Sequence, residues 1–186
     1  MILLGLLLTF SAAGLYAHYE YRANAAGANA QELLLEVKQG IRERKQTSVV
    51  LEAPEGQMVQ DSVNGHGVIG ILQIEEAGIQ LPVLGNWNYE NLEFGPCRYS
   101  GSLEDGNLVL LGHNYAGHLA DLDLLERGDL VEFFDVAGVC HTFVVAETAD
   151  IAPTDVEAVT ETDYPLTVFT CTPGGQRRYV VCCSEQ

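Results

Sequence analysis

Residues 166–181 read LTVFTCTPGGQRRYVV. The first five residues are mostly β-branched, aliphatic or aromatic, which predicts a half-buried strand. The Pro-Gly-Gly run at 173–175 favours a tight turn, because proline presets φ and glycine admits positive φ. An apolar strand resumes after Arg178. A short loop between two strands predicts an antiparallel hairpin, so we expect Cys171, at the end of the first strand, to lie beside an arginine at the start of the second.

Two stretches of the sequence carry a resemblance to a known family. Residues 167–171 are Thr-Val-Phe-Thr-Cys, and Arg178 opens the apolar strand that follows. Upstream, the run LVLLGHN places His113 at the end of another apolar strand. In the order His, Cys, Arg, these motifs resemble the active-site signature of the sortases, bacterial cysteine transpeptidases. Only Val168 departs from the T-L-x-T-C pattern of that family, and the similarity covers about residues 67–181.

The resemblance implies a role for each of these side chains. Cys171 would attack a peptide carbonyl carbon and form a thioacyl enzyme. His113 would protonate the departing amine and deprotonate the incoming one, and Arg178 would donate hydrogen bonds to the oxyanion. Thr170 would assist substrate binding through its hydroxyl. By the same resemblance, the substrate is a secreted protein with a C-terminal motif like Leu-Pro-x-Thr-Gly, cleaved between Thr and Gly. The acceptor is an amine of the peptidoglycan precursor lipid II or of a pilin lysine.

Two neighbouring residues compete for two of these roles. His118 is a rival base only five residues after His113, but the Leu-Gly-His-Asn match to the family favours His113. Arg177 is the rival of Arg178, and alternation along a strand sends their side chains to opposite faces, so only one can meet Cys171. The family places its arginine directly before the apolar run, which selects Arg178.

The charge balance excludes several classes of partner. The formal net charge is −17, from 26 acidic and nine basic residues. A nucleic-acid phosphate backbone needs a basic surface, so we expect no nucleic-acid partner. The same acidity disfavours polybasic docking on anionic lipid and is typical of a soluble extracellular domain. No calcium-loop spacing and no CxxC pair occur, so the sequence predicts no metal site and no cofactor.

The chain has five cysteines. An odd number in an exported protein leaves at least one free thiol, which suits a catalytic Cys171. A free cysteine also often serves as a small buried hydrophobic residue, so the odd number does not by itself identify a nucleophile. Cys182 and Cys183 are adjacent in a predicted strand, so their side chains should point to opposite faces and not bond to each other.

The sequence predicts three segments. Residues 1–17 are almost wholly apolar and indicate a secretory signal or membrane anchor, near the roughly 20 residues that a membrane span requires. Residues 18–66 predict a helical stalk and a linker, without the Asp-Pro-aromatic lid motif of pilin-polymerising sortases. Residues 67–186 form the catalytic domain. We therefore expect a single-pass protein of the cell membrane with its catalytic domain outside.

The fold class predicted from these patterns is mainly β. Nineteen glycines and a series of short apolar runs predict a closed barrel of seven or eight strands, nearly all antiparallel, preceded by an N-terminal helix. Residues 87–102 show no clear period and are predicted as loop or short helix, with 92–101 a candidate wall of a substrate groove. The predicted strands before the Cys171 hairpin are residues 68–74, 79–83, 107–112, 130–134 and 139–146.

Three functions fit the sequence. The first is the membrane-anchored transpeptidase already described. The second is a thiol peptidase that passes the acyl group to water, which would use the same residues. The third is a secreted β-barrel binding module whose cysteine and histidine are structural. This hypothesis requires the three motifs to occur in the family's order by coincidence.

Overall fold

The structure, a computed structural model, describes residues 2–47 and 58–186. Within these residues the chain forms two α-helices, two short 3₁₀ turns and nine strands. The helices are α1 (Ile2–Thr47) and α2 (Glu157–Thr160), and the 3₁₀ turns are Asn91–Glu93 and Ala120–Leu124. The strands are β1 (Asp61–Val63), β2 (His66–Ile74), β3 (Ile79–Leu84), β4 (Cys97–Ser100), β5 (Leu108–Gly112), β6 (Leu130–Asp135), β7 (Cys140–Ile151), β8 (Leu166–Cys171) and β9 (Arg178–Glu185).

The strands close into a barrel. Their order is β1-β2-β3-β4-β5-β8-β9-β7-β6, and β6 also pairs with β2. This last pairing closes eight strands on themselves and leaves β1 as an extra strand, so the predicted fold class is confirmed. Closure removes the unpaired backbone groups that an open sheet presents at its edges.

Two details of the sheet differ from the sequence prediction. Strand β4 lies where only loop or short helix was predicted, and it joins its parallel neighbour β3 through one residue pair, Leu84 with Cys97. Strands β5 and β8 are also parallel. The sequence analysis predicted nearly all strands to be antiparallel from the lengths of their connections and did not identify this pair. In the described part of the chain the other strand pairings are antiparallel.

The alternation of apolar residues explains how β5 serves two cores. Leu108 and Leu110 point into the barrel interior, where they join Phe133 and Val168. Val109 points outward into a second cluster under α2. A strand that is buried on both faces reads as a continuous apolar run, as the sequence indicated.

The second half of α1 packs on the outside of the barrel. Seven of its apolar side chains are buried, at the three- and four-residue spacings that place them on one helix face: Ala23, Ala26, Ala30, Leu33, Leu34, Val37 and Ile41. The four larger ones meet β2 and β3, and burial of each stabilises the packed state by about 1.5–3 kcal/mol. The segment predicted as a stalk is therefore docked along the barrel.

The first half of α1 presents apolar side chains to solvent, among them Leu3, Leu7 and Phe10. Nevertheless, none of the helices in the described ranges is both long and apolar enough to span a bilayer. Residues 48–57, which include part of the predicted linker and of the segment predicted to carry no lid, lie outside the described residues. The sheet itself begins at Asp61, inside the segment assigned to the linker.

Candidate active site

The hairpin of β8 and β9 brings a thiol and a guanidinium together. Cys171 and Arg178 are directly paired residues of the antiparallel ladder. The intervening turn uses two glycines with positive φ, Gly174 at 83° and Gly175 at 71°. Non-glycine residues rarely adopt this conformation, so the Gly-Gly pair permits the tight connection. The register is the one that the sequence predicted.

The neighbouring parallel strand brings in the imidazole. Strand β5 pairs with β8 up to Gly112 and Thr170, so His113, which follows β5, and Cys171, which ends β8, lie at the same end of the sheet. The Thr170 hydroxyl is buried and donates a 2.9 Å hydrogen bond to the carbonyl oxygen of Gly112. This bond ties the two strand ends together and fixes the separation of histidine and cysteine.

His113, Cys171 and Arg178 line one cavity of about 290 Å³. Its wall is largely apolar and aromatic. Trp87 stacks on Tyr99 with ring centroids 6.0 Å apart. The remaining lining residues are Tyr89, Leu92, Leu111, Gly112, Ile151, Ala152, Pro153, Asp155, Val156, Val159 and Phe169.

The two arginines of the hairpin point to different places. Arg178 lines the cavity and donates from Nη1 to the carbonyl oxygens of Gly175 and Arg177, each at 3.1 Å. Both bonds use Nη1, which leaves the hydrogens on Nε and Nη2 for a substrate. Arg177 is exposed and donates from Nη2 to the carbonyl oxygen of Asp150 on β7. The structure thus places Arg178, and not Arg177, on the cavity that His113 and Cys171 line.

The His113 ring is held between an aromatic face and a carboxylate. It stacks on Tyr115, with ring centroids 4.4 Å apart. Its Nε2 lies 4.0 Å from Oε1 of Glu93. Burial lowers the pKa of His113, the carboxylate of Glu93 opposes that shift, and the guanidinium of Arg22 adds to it. The imidazole is therefore neutral at pH 7 and able to accept a proton.

The sequence matches a family model. The sortase domain model covers residues 72–186, which is more than half of the chain. The chain belongs to the sortase family. Sortases are cysteine transpeptidases of the cell surface, so at the level of the family this chain is a cysteine transpeptidase. No curated protein sequence matches this sortase.

Solved structures share the fold at low sequence identity. A Clostridium perfringens sortase D5 transpeptidase is 18% identical with a TM-score of 0.59, over 88% of this chain and 99% of that one. Streptococcus pneumoniae sortase C is 20% identical with a TM-score of 0.59, over 82% and 89% of the two chains. Clostridium perfringens sortase C with a C-terminal cell wall sorting motif is 17% identical with a TM-score of 0.57, over 83% and 90%.

His118, the rival base, lies away from the cavity of this sortase. It is only 3% exposed, and neither ring nitrogen has a hydrogen-bond partner within residues 2–47 and 58–186. The backbone of α1 passes over its loop, with Gly27 against Ala116 and Gly117. Burial lowers the pKa of His118, so this ring is also neutral at pH 7.

These buried histidines predict a pH-dependent stability. Unfolded histidine has a pKa of about 6.5, whereas burial lowers the pKa of His113 and His118 in the folded state. Below about pH 6.5 the unfolded state binds more protons, so the free energy of unfolding falls with falling pH. We expect the free energy of unfolding to fall between roughly pH 7.5 and 5.5, by at most about 1.4 kcal/mol per pH unit for each histidine.

Urea unfolding at both pH values checks this expectation. His118→Phe removes one titrating ring while it keeps an aromatic side chain, and it should reduce the pH dependence by about the share of one histidine. An equal pH dependence in His118→Phe and the wild type would show that the buried ring does not resist protonation. The test compares how much the free energy of unfolding changes between the two pH values. A change in stability that the substitution causes equally at both pH values does not affect this comparison.

The five cysteines, all within the described residues, are unpaired. Burial raises the pKa of Cys97 and of Cys183 to about 12, which keeps these thiols protonated and poorly nucleophilic. Cys182 lies in the cluster under α2 and Cys183 in the barrel interior, so the pair faces opposite sides, as predicted. Cys171 is half-buried and lines the cavity.

The sequence analysis missed two parts of this site. Glu93 and its ionic partner Arg22 are separated by 71 residues, and no local pattern signals such a pair. A second cavity of about 320 Å³, which also includes Cys171, is lined by Asn114, Ala120, Asp123, Asp150, Thr170, Thr172, Pro173 and Tyr179. Thr170 thus lines a cavity while its hydroxyl holds Gly112, and its role in substrate binding stays a prediction.

Proposed function

We propose that this sortase cleaves a Leu-Pro-x-Thr-Gly-like motif between Thr and Gly and transfers the acyl group to an amine. In this proposal Cys171 is the nucleophile, His113 the acid and base, and Arg178 the oxyanion donor. The supporting observation is that these three side chains, from three different strand ends, line one cavity. A nucleophile, a proton carrier and a charged donor within one cleft are what acyl transfer requires.

The reaction balances with these groups alone. The neutral imidazole of His113 takes the proton of the Cys171 thiol as the sulfur attacks the carbonyl carbon of the Thr–Gly bond, and the oxyanion that forms accepts hydrogen bonds from Arg178. His113 gives this proton to the departing glycine amine, which leaves a thioester on the sulfur. The imidazole, neutral again, takes a proton from the incoming amine as that amine attacks the thioester, and it passes the proton to the departing sulfur, which restores the thiol.

Features of both cavities support a two-substrate reaction. The aromatic wall of Trp87, Tyr99 and Phe169 is suited to the leucine and proline of a sorting motif. One structural relative has been solved with its C-terminal cell wall sorting motif. The second cavity also includes Cys171 and would give a peptidoglycan or pilin-lysine amine a separate approach.

The proposal also locates the enzyme. Sortases are cell-surface enzymes, and the exposed leucines in the first turns of α1 would hold the chain at the cell membrane. The catalytic barrel would then face the outside, where secreted proteins and cell-wall amines are available.

Mass spectrometry of the full chain with a sorting-peptide library tests this function. Peptides varied at the third position of Leu-Pro-x-Thr-Gly are incubated alone, with triglycine, and with a diaminopimelate-bearing stem peptide. A ligated product together with an acyl adduct on Cys171 is the expected result. Hydrolysis under all acceptors would favour the thiol peptidase, and the absence of any adduct would overturn the proposal.

A further inference from the structure

One ring nitrogen of His113, Nε2, lies near an acidic side chain. Its Nε2 is buried and has no hydrogen-bond partner within the described residues, and the nearest acidic oxygen is Oε1 of Glu93 at 4.0 Å. This separation is too long for a hydrogen bond but falls within ion-pair range for a protonated ring. Buried polar nitrogens normally have hydrogen-bond partners. An Nε2 that lies next to a carboxylate without bonding to it therefore requires an explanation.

The carboxylate is itself held from a distant part of the chain. Glu93 ends the 3₁₀ turn Asn91–Glu93 and forms an ion pair with Arg22 of α1. The same part of α1 packs on the histidine loop, because Ala23 and Ala26 bury against Tyr115, whose ring stacks on His113. Tyr19 meets Tyr115 edge-on with ring centroids 5.5 Å apart. The imidazole therefore has a fixed face and a fixed acidic neighbour.

We propose that Glu93 is a positioning residue for His113 and that Arg22 sets how strongly Glu93 acts on it. This inference rests on the proposed function, since it assigns the groups that orient the proposed base. Glu93 favours the tautomer with its proton on buried Nε2, which leaves the lone pair of Nδ1 for the proton that moves between sulfur, leaving group and acceptor. When Nδ1 takes that proton, the carboxylate closes on Nε2 and compensates the new charge.

Opposite charges at Glu93 and Arg22 make the proposal specific. The Glu93 carboxylate raises the pKa of His113, whereas the Arg22 guanidinium lowers it. A purely structural role of the ion pair would give the same effect whichever partner is removed. The groups that face His113 from all sides are Arg22 on α1, Glu93 in the 3₁₀ turn, Tyr115 and His118 in its own loop, Cys171 on β8 and Arg178 on β9.

The test compares Glu93→Gln and Arg22→Met in the full chain. The pKa of His113 is followed by NMR titration of labelled histidine, and the pH profile of kcat/KM is measured with a sorting peptide. We expect Glu93→Gln to lower the pKa of His113 by about one unit and Arg22→Met to raise it. The histidine limb of the pH profile should move with each, and kcat of Glu93→Gln should fall about tenfold with little change in KM.

Two matched variants control for lost charge. Glu90→Gln removes an exposed carboxylate three residues before Glu93, and Arg42→Met removes an exposed guanidinium on α1. Neither should move the titration of His113. A His113 pKa unmoved by Glu93→Gln, or moved in the same direction by both test variants, would overturn the inference. A wild type without thioacyl adduct would instead overturn the proposed function, and the titration would still decide whether Glu93 acts on His113.

Discussion

Cys171→Ala is expected to abolish acyl transfer, with kcat/KM reduced by at least about 10⁴-fold, because the reaction then has no nucleophile. The half-buried side chain lines the cavity and is not one of the buried residues that form the hydrophobic clusters of the described part of the chain. We therefore expect the free energy of unfolding to change by less than about 1 kcal/mol. Peptide turnover and urea unfolding on the same preparation measure the two quantities.

Cys140→Ala is the matched control for Cys171→Ala. Cys140 is also unpaired, and it lies exposed at the start of β7, outside both cavities that include Cys171. Its removal should leave turnover within about twofold of the wild type. Retention of full function in Cys171→Ala would favour the non-catalytic binding module, since that alternative treats the cysteine as a structural residue.

The same reasoning predicts where an acyl adduct forms. The pKa of Cys97 and Cys183 is raised to about 12 by burial, so these thiols contribute almost no thiolate at neutral pH. The sulfur of Cys171 is the one that meets His113 and Arg178 in a cavity. An adduct on Cys140 in place of Cys171 would contradict this assignment.

The hairpin and the histidine strand were predictable because their signals are local. Turn glycines and the apolar runs on either side of them predict the hairpin of β8 and β9, so the approach of Cys171 to an arginine follows from residues 166–181, while the family resemblance selected Arg178 over Arg177. The continuous apolar run before His113 likewise marks a strand that is buried on both faces. Family resemblance added the order of the motifs, and the convergence of three side chains on one cavity agrees with it.

What the sequence did not reveal depends on contacts between distant segments. Strand β4 has only four residues and pairs with β3 through a single residue pair, so it lacks a period that a sequence pattern could display. The docking of α1 depends on the barrel surface that receives its apolar face. The pair of Arg22 and Glu93 joins two segments whose proximity exists only in the folded chain.

The second large effect is expected at the arginine that faces the cavity. Arg178→Met removes the charged donors from the site of the developing oxyanion, and we expect kcat to fall by about 10²–10³-fold with a smaller change in KM. Arg178→Lys keeps the charge but lacks the planar set of donors, so it should recover only part of the lost rate. Single-turnover formation of the thioacyl enzyme measures the step directly.

Arg177→Met distinguishes this role from a general effect of positive charge in the hairpin. Arg177 is the preceding residue, is exposed, binds the carbonyl oxygen of Asp150, and itself lines neither of the two cavities that include Cys171. Its loss should change kcat by no more than about twofold, because no donor is removed from the reacting carbonyl. If Arg177→Met lost more activity than Arg178→Met, the guanidinium that meets the oxyanion would be the other one, and β9 would have to present its opposite face to the substrate.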